Sequence, residues 1–280
     1  MLMKLVIRNY LEKLGINLSK NSLTLGLTPI SEIQDLLFSL RPKTNGVKLI
    51  RIGGAGDGGY LLPDDFVGIE ECFSPGSNLL WNFERELSER FHIKSFICDS
   101  IDQKPRDLTE NQDFTEAWVG PATDDSSTIS LSDWIEIKSP GDSDLILQMD
   151  IEGAEFQTLL SVSTKLLKRF RIIVIEFHFL EALKNRWAFN LMYIPIFSKL
   201  LENFDVVHLH PNNCCGTWKV GDLEFPRIIE ATFHRKDRAM SDLKNADTAN
   251  QLDYPCDPSN KELRIEWLES SNIIKVDKHL

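Results

Sequence analysis

The stretch DLILQMDIEGAEFQTLLSVSTKLLKRFRIIVIEFH, Asp144 to His178, decides how this chain is read. Leu145, Ile146, Leu147 and Met149 form a short apolar run between two aspartates and predict a buried strand. Ala154–Phe170 then carries apolar residues at helical spacing, and Arg171–His178 is the most apolar strand candidate in the sequence. A strand, a helix and a second strand in so short a span make a right-handed crossover. Strands this apolar belong to a mostly parallel sheet covered on both faces.

The same alternation extends outward. Val47–Ile52 and Tyr60–Leu62 flank the run GGAGDGG. Strands are expected at Glu71–Ser74, Lys94–Asp99 and Glu116–Gly120, a helix at Leu79–Phe91 and a helical turn at Ser130–Trp134. Downstream come a helix over Phe189–Phe204, interrupted near Pro195, and a strand at Asp205–His210. A Gly/Pro/Asn-rich loop without helical period leads to a last strand, Arg227–His234, expected to run antiparallel. Residues 1–45 hold two amphipathic stripes, Leu2–Leu14 and Ile30–Leu40, and form an N-terminal helical segment. Residues 46–235 form the α/β domain, and the polar residues 236–280 form a tail packed on or near the core, loosely docked and ending in a short helix.

Composition narrows the function. The 280 residues are 42% hydrophobic and 26% charged, a globular balance. Forty-two acidic against 31 basic residues give a net charge of −11, which argues against a nucleic-acid partner. Five cysteines without a CxxC spacing provide neither a disulfide framework nor a zinc ribbon. The amino terminus lacks a secretory apolar core, and no window reaches the roughly 18 apolar residues of a membrane span. A soluble, cytoplasmic protein without a transmembrane segment is expected.

Three motifs carry chemistry. Gly54-Ala-Gly56-Asp-Gly58-Gly59 matches the dinucleotide fingerprint and would support an NAD-dependent oxidoreductase, but that motif needs a following helix to hold the pyrophosphate. Tyr60-Leu-Leu-Pro63 follows instead, so the glycines predict a hairpin with Asp57-Gly58 at its tip. Second, Ser74-Pro-Gly76-Ser77 closes a strand ahead of a helix, and Asp99 ends the next strand. Gly76 there would let a ligand approach the main chain, and Asp99 is placed to accept hydrogen bonds from ribose hydroxyls.

The third motif is a convergence. Asp150, Glu152 and Glu155, then Glu176 and His178, then His208, His210, Asn212 and Asn213 all fall at carboxyl ends of neighbouring strands, where such sheets bind ligands. Glu176 and His178 share one strand face. Either His178 or His210 suits a general base, since an ordinary imidazole titrates near neutral pH. Alternatively, Asp150 and Glu176 with an Asn could hold a hard divalent cation. A metal is not expected.

The order SPG–helix–ICDS, LSDW, MDIEGAE, VIEFH resembles the class I S-adenosylmethionine-dependent methyltransferases of the FkbM type, from about Val47 to His234. Met149–Glu155 matches the signature D-x-E-G-x-E, and RIGGAGDGGYLL with HLHPNN resembles one branch of that group. Ser74-Pro75-Gly76 departs from the usual Asp-x-Gly-x-x-x-Gly. The resemblance implies a Rossmann-like sheet and O-methylation of a sugar, glycan or related small molecule in glycan biosynthesis. It implies S-adenosylmethionine held by Asp57, Gly59, Tyr60, Gly76, Ser77, Asp99 and Asp150. Asp150 would sit beside the methyl group with His178 or His210 as base, and Glu176, Asn212 and Asn213 would bind the acceptor. A catalytically silent methyltransferase-like binding protein is the rival reading, and a homodimer is possible.

Overall fold

The computed structural model describes residues 16–18, 23–77, 81–100, 104, 106–124, 127–246 and 249–264. A seven-stranded sheet forms its centre, with β1 Glu71–Pro75, β2 Lys94–Asp99, β3 Gln112–Glu116, β4 Leu145–Met149, β5 Phe170–Phe177, β6 Phe204–Pro211 and β7 Ile229–Arg235. Their spatial order is β6-β7-β5-β4-β1-β2-β3. Strands β3, β2, β1, β4 and β5 pair in parallel, whereas β7 runs antiparallel to both β5 and β6. The expected mostly parallel sheet with an antiparallel last strand is what forms. Chain order reverses between β1 and β4, so the crevice beyond their carboxyl ends is the switch point at which such sheets take ligands.

Helices α1 Ile30–Ser39, α2 Asn82–Phe91, α3 Leu131–Lys138, α4 Glu155–Ser161 and α5 Ile194–Asn203 accompany the sheet. Side chains alternate across each strand. Met149, Ile173, Ile175 and Phe177 pack in one core with Phe156 of α4 and Phe197 of α5, where Phe177 lies 5.1 Å from both rings. Ile146, Ile172 and Val174 face the other core, under an antiparallel hairpin of Leu49–Ile52 and Tyr60–Pro63. The Gly54–Gly59 run is the turn of this hairpin, so no helix follows it and the dinucleotide reading fails on structural context.

Several boundaries differ from expectation. The third strand is Gln112–Glu116, while Trp118–Gly120 pairs with Thr128–Ser130 instead. The helix expected over 154–170 breaks after Ser161, because the Ser163 hydroxyl caps a new turn by accepting from Leu166 N–H at 3.1 Å. Pro195, lacking an N–H, sits at the start of α5, and the preceding Phe189–Tyr193 form a π-helical turn. The loop after β6 contains a hairpin, Thr217–Val220 with Leu223–Pro226. Of the two N-terminal stripes, the second is α1, and the first lies outside the described residues. Ile16–Leu18 pairs with Leu23–Leu25 ahead of α1. The short helix expected at the end of the tail also lies outside the described residues.

Two constraints hold the frame. At the amino ends of the parallel strands, buried Asp65 accepts from Arg238 Nε at 2.8 Å and from His234 Nε2 at 3.1 Å, and buried Arg171 approaches it at 3.4 Å. Arg171 also donates to Asp144 at 2.6 Å. At the opposite ends, β1 and β4 meet so closely that a Cβ on Gly76 would lie 1.5 Å from the Asp150 carbonyl oxygen. Gly76, at φ +78°, is therefore required by its neighbour strand's main chain.

Asp65→Ala removes the carboxylate that holds buried His234 and one of the two on buried Arg171, and should cost about 3 kcal/mol, read as a denaturant-midpoint shift. Burial raises the Asp65 pKa, but Arg238, His234 and Arg171 outweigh it and the net shift is downward from 3.8. Its stabilisation is thus complete above that value and is lost as pH falls below it, a loss Asp65→Asn should flatten. Gly76→Ala should destabilise the fold by several kcal/mol (~3 or more), measured as a fall in Tm, because the clash is with backbone.

Candidate active site at the carboxyl edge of the sheet

The β4–α4 turn, Asp150 to Glu155, organises the site. Glu152 adopts φ +54°, an unusual conformation for a non-glycine residue, and this brings its carboxylate 3.4 Å from His178 Nε2. The fully buried Glu155 folds back to accept Gly153 N–H at 2.9 Å and Ile151 N–H at 3.3 Å. The same oxygen lies 3.0 Å from His178 Nδ1. Because a carboxylate only accepts, Nδ1 carries the proton, and Nε2 faces the site.

His178, just beyond β5, has Nε2 3.6 Å from Glu176 and 3.8 Å from Asp150. Burial lowers its pKa, but the Glu155 hydrogen bond and the charges of Glu155, Asp150 and Glu152 outweigh burial, so the net shift is upward from 6.5. Burial chiefly, with Glu152, Glu155 and Asp57 against the His178 counter-effect, pushes Asp150 up to about 7. Glu176 is raised well above the usual range by burial, then by Asp150 and Glu230. Glu176 Oε2 and Asp150 Oδ1 are buried without hydrogen-bond partners. One ligand atom each from Asp150, Glu176 and His178 lies within 4.8 Å of the others, close enough to share a cation, and the same holds for His210, Glu230 and Cys256.

Beside this cluster is a small cleft lined by Asp57, Gly58, Tyr60, Gly76, Ser77, Phe83, Glu84, Gln148 and Asp150. The hairpin supplies Asp57, Gly58 and Tyr60, so the glycine run does reach the site. Gly59 is fixed by the tightness of the turn, since a Cβ there would sit 2.1 Å from Gly54 O. Tyr60 packs edge-on to Phe83 at 5.7 Å and its hydroxyl accepts from Gln148 at 3.3 Å. Asp99 accepts Ser77 N–H at 2.9 Å and Ser100 N–H at 2.7 Å, which orients it at the mouth of the first βα turn.

The far side departs from expectation. His210 is not open to an acceptor: Nδ1 lies 3.4 Å from Glu230 and Nε2 3.0 Å from Glu262. Burial lowers its pKa, but Glu230 and the tail carboxylates overcome burial and lift it to about 9, so it is cationic at neutral pH and unsuited to act as a base. Asn212 accepts Cys214 N–H and donates to Glu176 at 2.9 Å, so it orients Glu176. Asn213 is consumed by the tail, donating to Asp257 O at 2.8 Å and accepting Asp257 N–H at 2.8 Å. The second Asn213 N–H goes to Asn260 O at 3.3 Å, whereas Asn212 makes only the one donation to Glu176.

The described residues of the tail, up to 264, make specific contacts with the core. Asp253 lies 3.0 Å from His208, the Cys256 thiol donates to Glu230 at 3.0 Å, and the Arg51 guanidinium stacks over Tyr254 at 5.0 Å. Arg51 also donates to Gly54 O at 2.7 Å and Gly56 O at 2.8 Å, tying tail and hairpin turn together. Sequence reading also missed Glu84. It is one of the buried residues of α2 and belongs to no motif.

Residues 100–205 match the family described as "Methyltransferase FkbM domain". No curated protein matches the chain. Among solved structures, the chain is similar to M. capricolum TrmK in complex with S-adenosyl-homocysteine, at 13% identity and TM-score 0.30, covering 66% of this chain and 69% of that one. It is also similar to the methyltransferase CalO6, at 9% identity and TM-score 0.28, covering 60% and 58%. A third is the 30S ribosomal A1408 methyltransferase from an uncultured bacterium, at 12% identity and TM-score 0.30, covering 66% and 100%. The family match at residues 100–205 takes in β4, β5 and the Asp150, Glu176 and His178 cluster.

Proposed function

We propose that the enzyme methylates a hydroxyl oxygen of a sugar, glycan or related small molecule, with His178 taking the hydroxyl proton. The observation that carries this reading is the His178–Glu155 pair, a buried carboxylate fixing the imidazole at 3.0 Å so that Nε2 faces Asp150 and Glu176. S-adenosylmethionine, when bound, supplies a methyl carbon already activated by a positively charged sulfur. The remaining work of the chain is to align an acceptor oxygen and remove a proton.

The cleft fits a cationic donor. Its charged lining residues are Asp57, Glu84 and Asp150, and among the described residues no Lys or Arg lines it. Asp99 would accept from the ribose hydroxyls, Gly76 and Ser77 would underlie the methionine portion, and Asp57 with Tyr60, set by the Gly59 turn, would form the opposite wall. Asp150 would stand between donor and acceptor. His178 Nε2 would take the O–H proton of the acceptor as its oxygen is methylated. Glu176 offers an unpartnered oxygen to acceptor hydroxyls. The carboxylates along this edge would repel a phosphorylated or carboxylated acceptor, which favours a neutral polyol.

His178→Ala should lower kcat by about 10²–10⁴ while leaving S-adenosylhomocysteine affinity within about twofold. Retention of full turnover with a neutral sugar acceptor would remove His178 from the role. A base works deprotonated, so kcat should fall as pH drops through a value above 6.5, and Glu155→Gln should move that limb downward. Turnover should survive a chelator. A loss reversed by Mn²⁺ would instead place Asp150, Glu176 and His178 on a metal.

A further inference from the structure

Glu84 is the one acid of the cleft that the mechanism above leaves unused. It lies in the first turn of α2 and is 2% exposed. The Ser74 hydroxyl donates to Oε1, while Oε2 is buried with no partner. Ser74 also lies 2.6 Å from Gln148 Oε1, and its single proton serves only one of the two acceptors at a time. Gln148 in turn is committed to the Tyr60 hydroxyl. A buried carboxylate oxygen is costly to leave unpaired, and no Lys or Arg is among the residues lining the cleft.

We propose that Glu84 is the subsite for the α-ammonium group of the cofactor's amino-acid end, a role that rests on reading the cleft as the S-adenosylmethionine site. The cofactor brings two cationic centres, the sulfonium and the ammonium, joined by a short carbon chain. Asp150 belongs to the His178 cluster, so the sulfonium with its methyl group lies toward Asp150. Glu84, the other acid lining the cleft with an unpartnered buried oxygen, is then left for the ammonium. An ammonium offers three donors, enough to satisfy Oε2 and to share Ser74's partner. Glu84 is a binding residue on this account and selects for an amino-acid-bearing nucleoside over one without the amine.

The test is a binding cycle on the full chain. Wild type and Glu84→Gln are each titrated with S-adenosylhomocysteine and with its analogue lacking only the α-amino group. Wild type should prefer the amine-bearing ligand about tenfold or more, the worth of one charge-assisted contact. Glu84→Gln, which keeps side-chain shape and the Ser74 contact, should bind both within about twofold of each other and hold the analogue as tightly as wild type does. Equal binding of the two ligands by wild type overturns the proposal without recourse to any variant. So does a Glu84→Gln protein that keeps the preference or loses both ligands alike. Wild type that binds neither ligand overturns the cofactor reading beneath it.

Discussion

Glu176 on β5 stands directly opposite Glu230 on β7, and Glu230 stands directly opposite His210 on β6. Like charges opposed in register destabilise a sheet, and here the pair is buried as well. Asp150, one residue past the β4 position that pairs with Ile175, extends the row. Such a row is not a folding device. It persists because the surrounding structure holds each member separately: Asn212 on Glu176, Cys256 and His210 on Glu230, and His178 beside Asp150. Local conflict of this kind marks a site where folding stability has yielded to function.

The rest of the molecule reads as the support of that row. The aromatic packing of Phe156, Phe177 and Phe197 anchors α4 and α5 under β5, fixing the strand whose next two polar residues are Glu176 and His178. The glycine hairpin covers the other face and delivers Asp57 and Tyr60 to the cleft. The tail packs on the far side, with Asp253 against His208 and Glu262 against His210. Arg51 joins hairpin and tail, so enclosure on the two sides is mechanically linked. The outcome divides labour between two histidines on neighbouring edges: His210 is cationic and clamps the tail, while His178 keeps one nitrogen open to the site.

Much of this was legible in the sequence. Apolar runs at Leu145–Met149 and Arg171–Phe177 fixed the parallel sheet, and Pro63 after Tyr60-Leu-Leu exposed the glycine run as a hairpin. The convergence of Asp150, Glu176 and His178 followed from strand ends alone. What was not legible depended on contacts distant in sequence. Asn213 looks like a substrate-orienting amide until Asp257 and Asn260, more than 40 residues away, are seen to occupy it. His210 resembles a base until Glu262 is placed against it. Gly76 was read for ligand approach, whereas the atom that forbids a side chain is the Asp150 carbonyl. Glu84 was hidden because its helix was judged by its apolar face.

The central claim is that this acidic edge is a methyl-transfer site and not a nicotinamide site or an inert surface. Calorimetric titration of the full chain with S-adenosylhomocysteine, run beside NADH, tests it most directly. The account predicts saturable binding of S-adenosylhomocysteine, at about micromolar strength, and none of NADH. Binding of NADH alone, or of neither ligand, would contradict it.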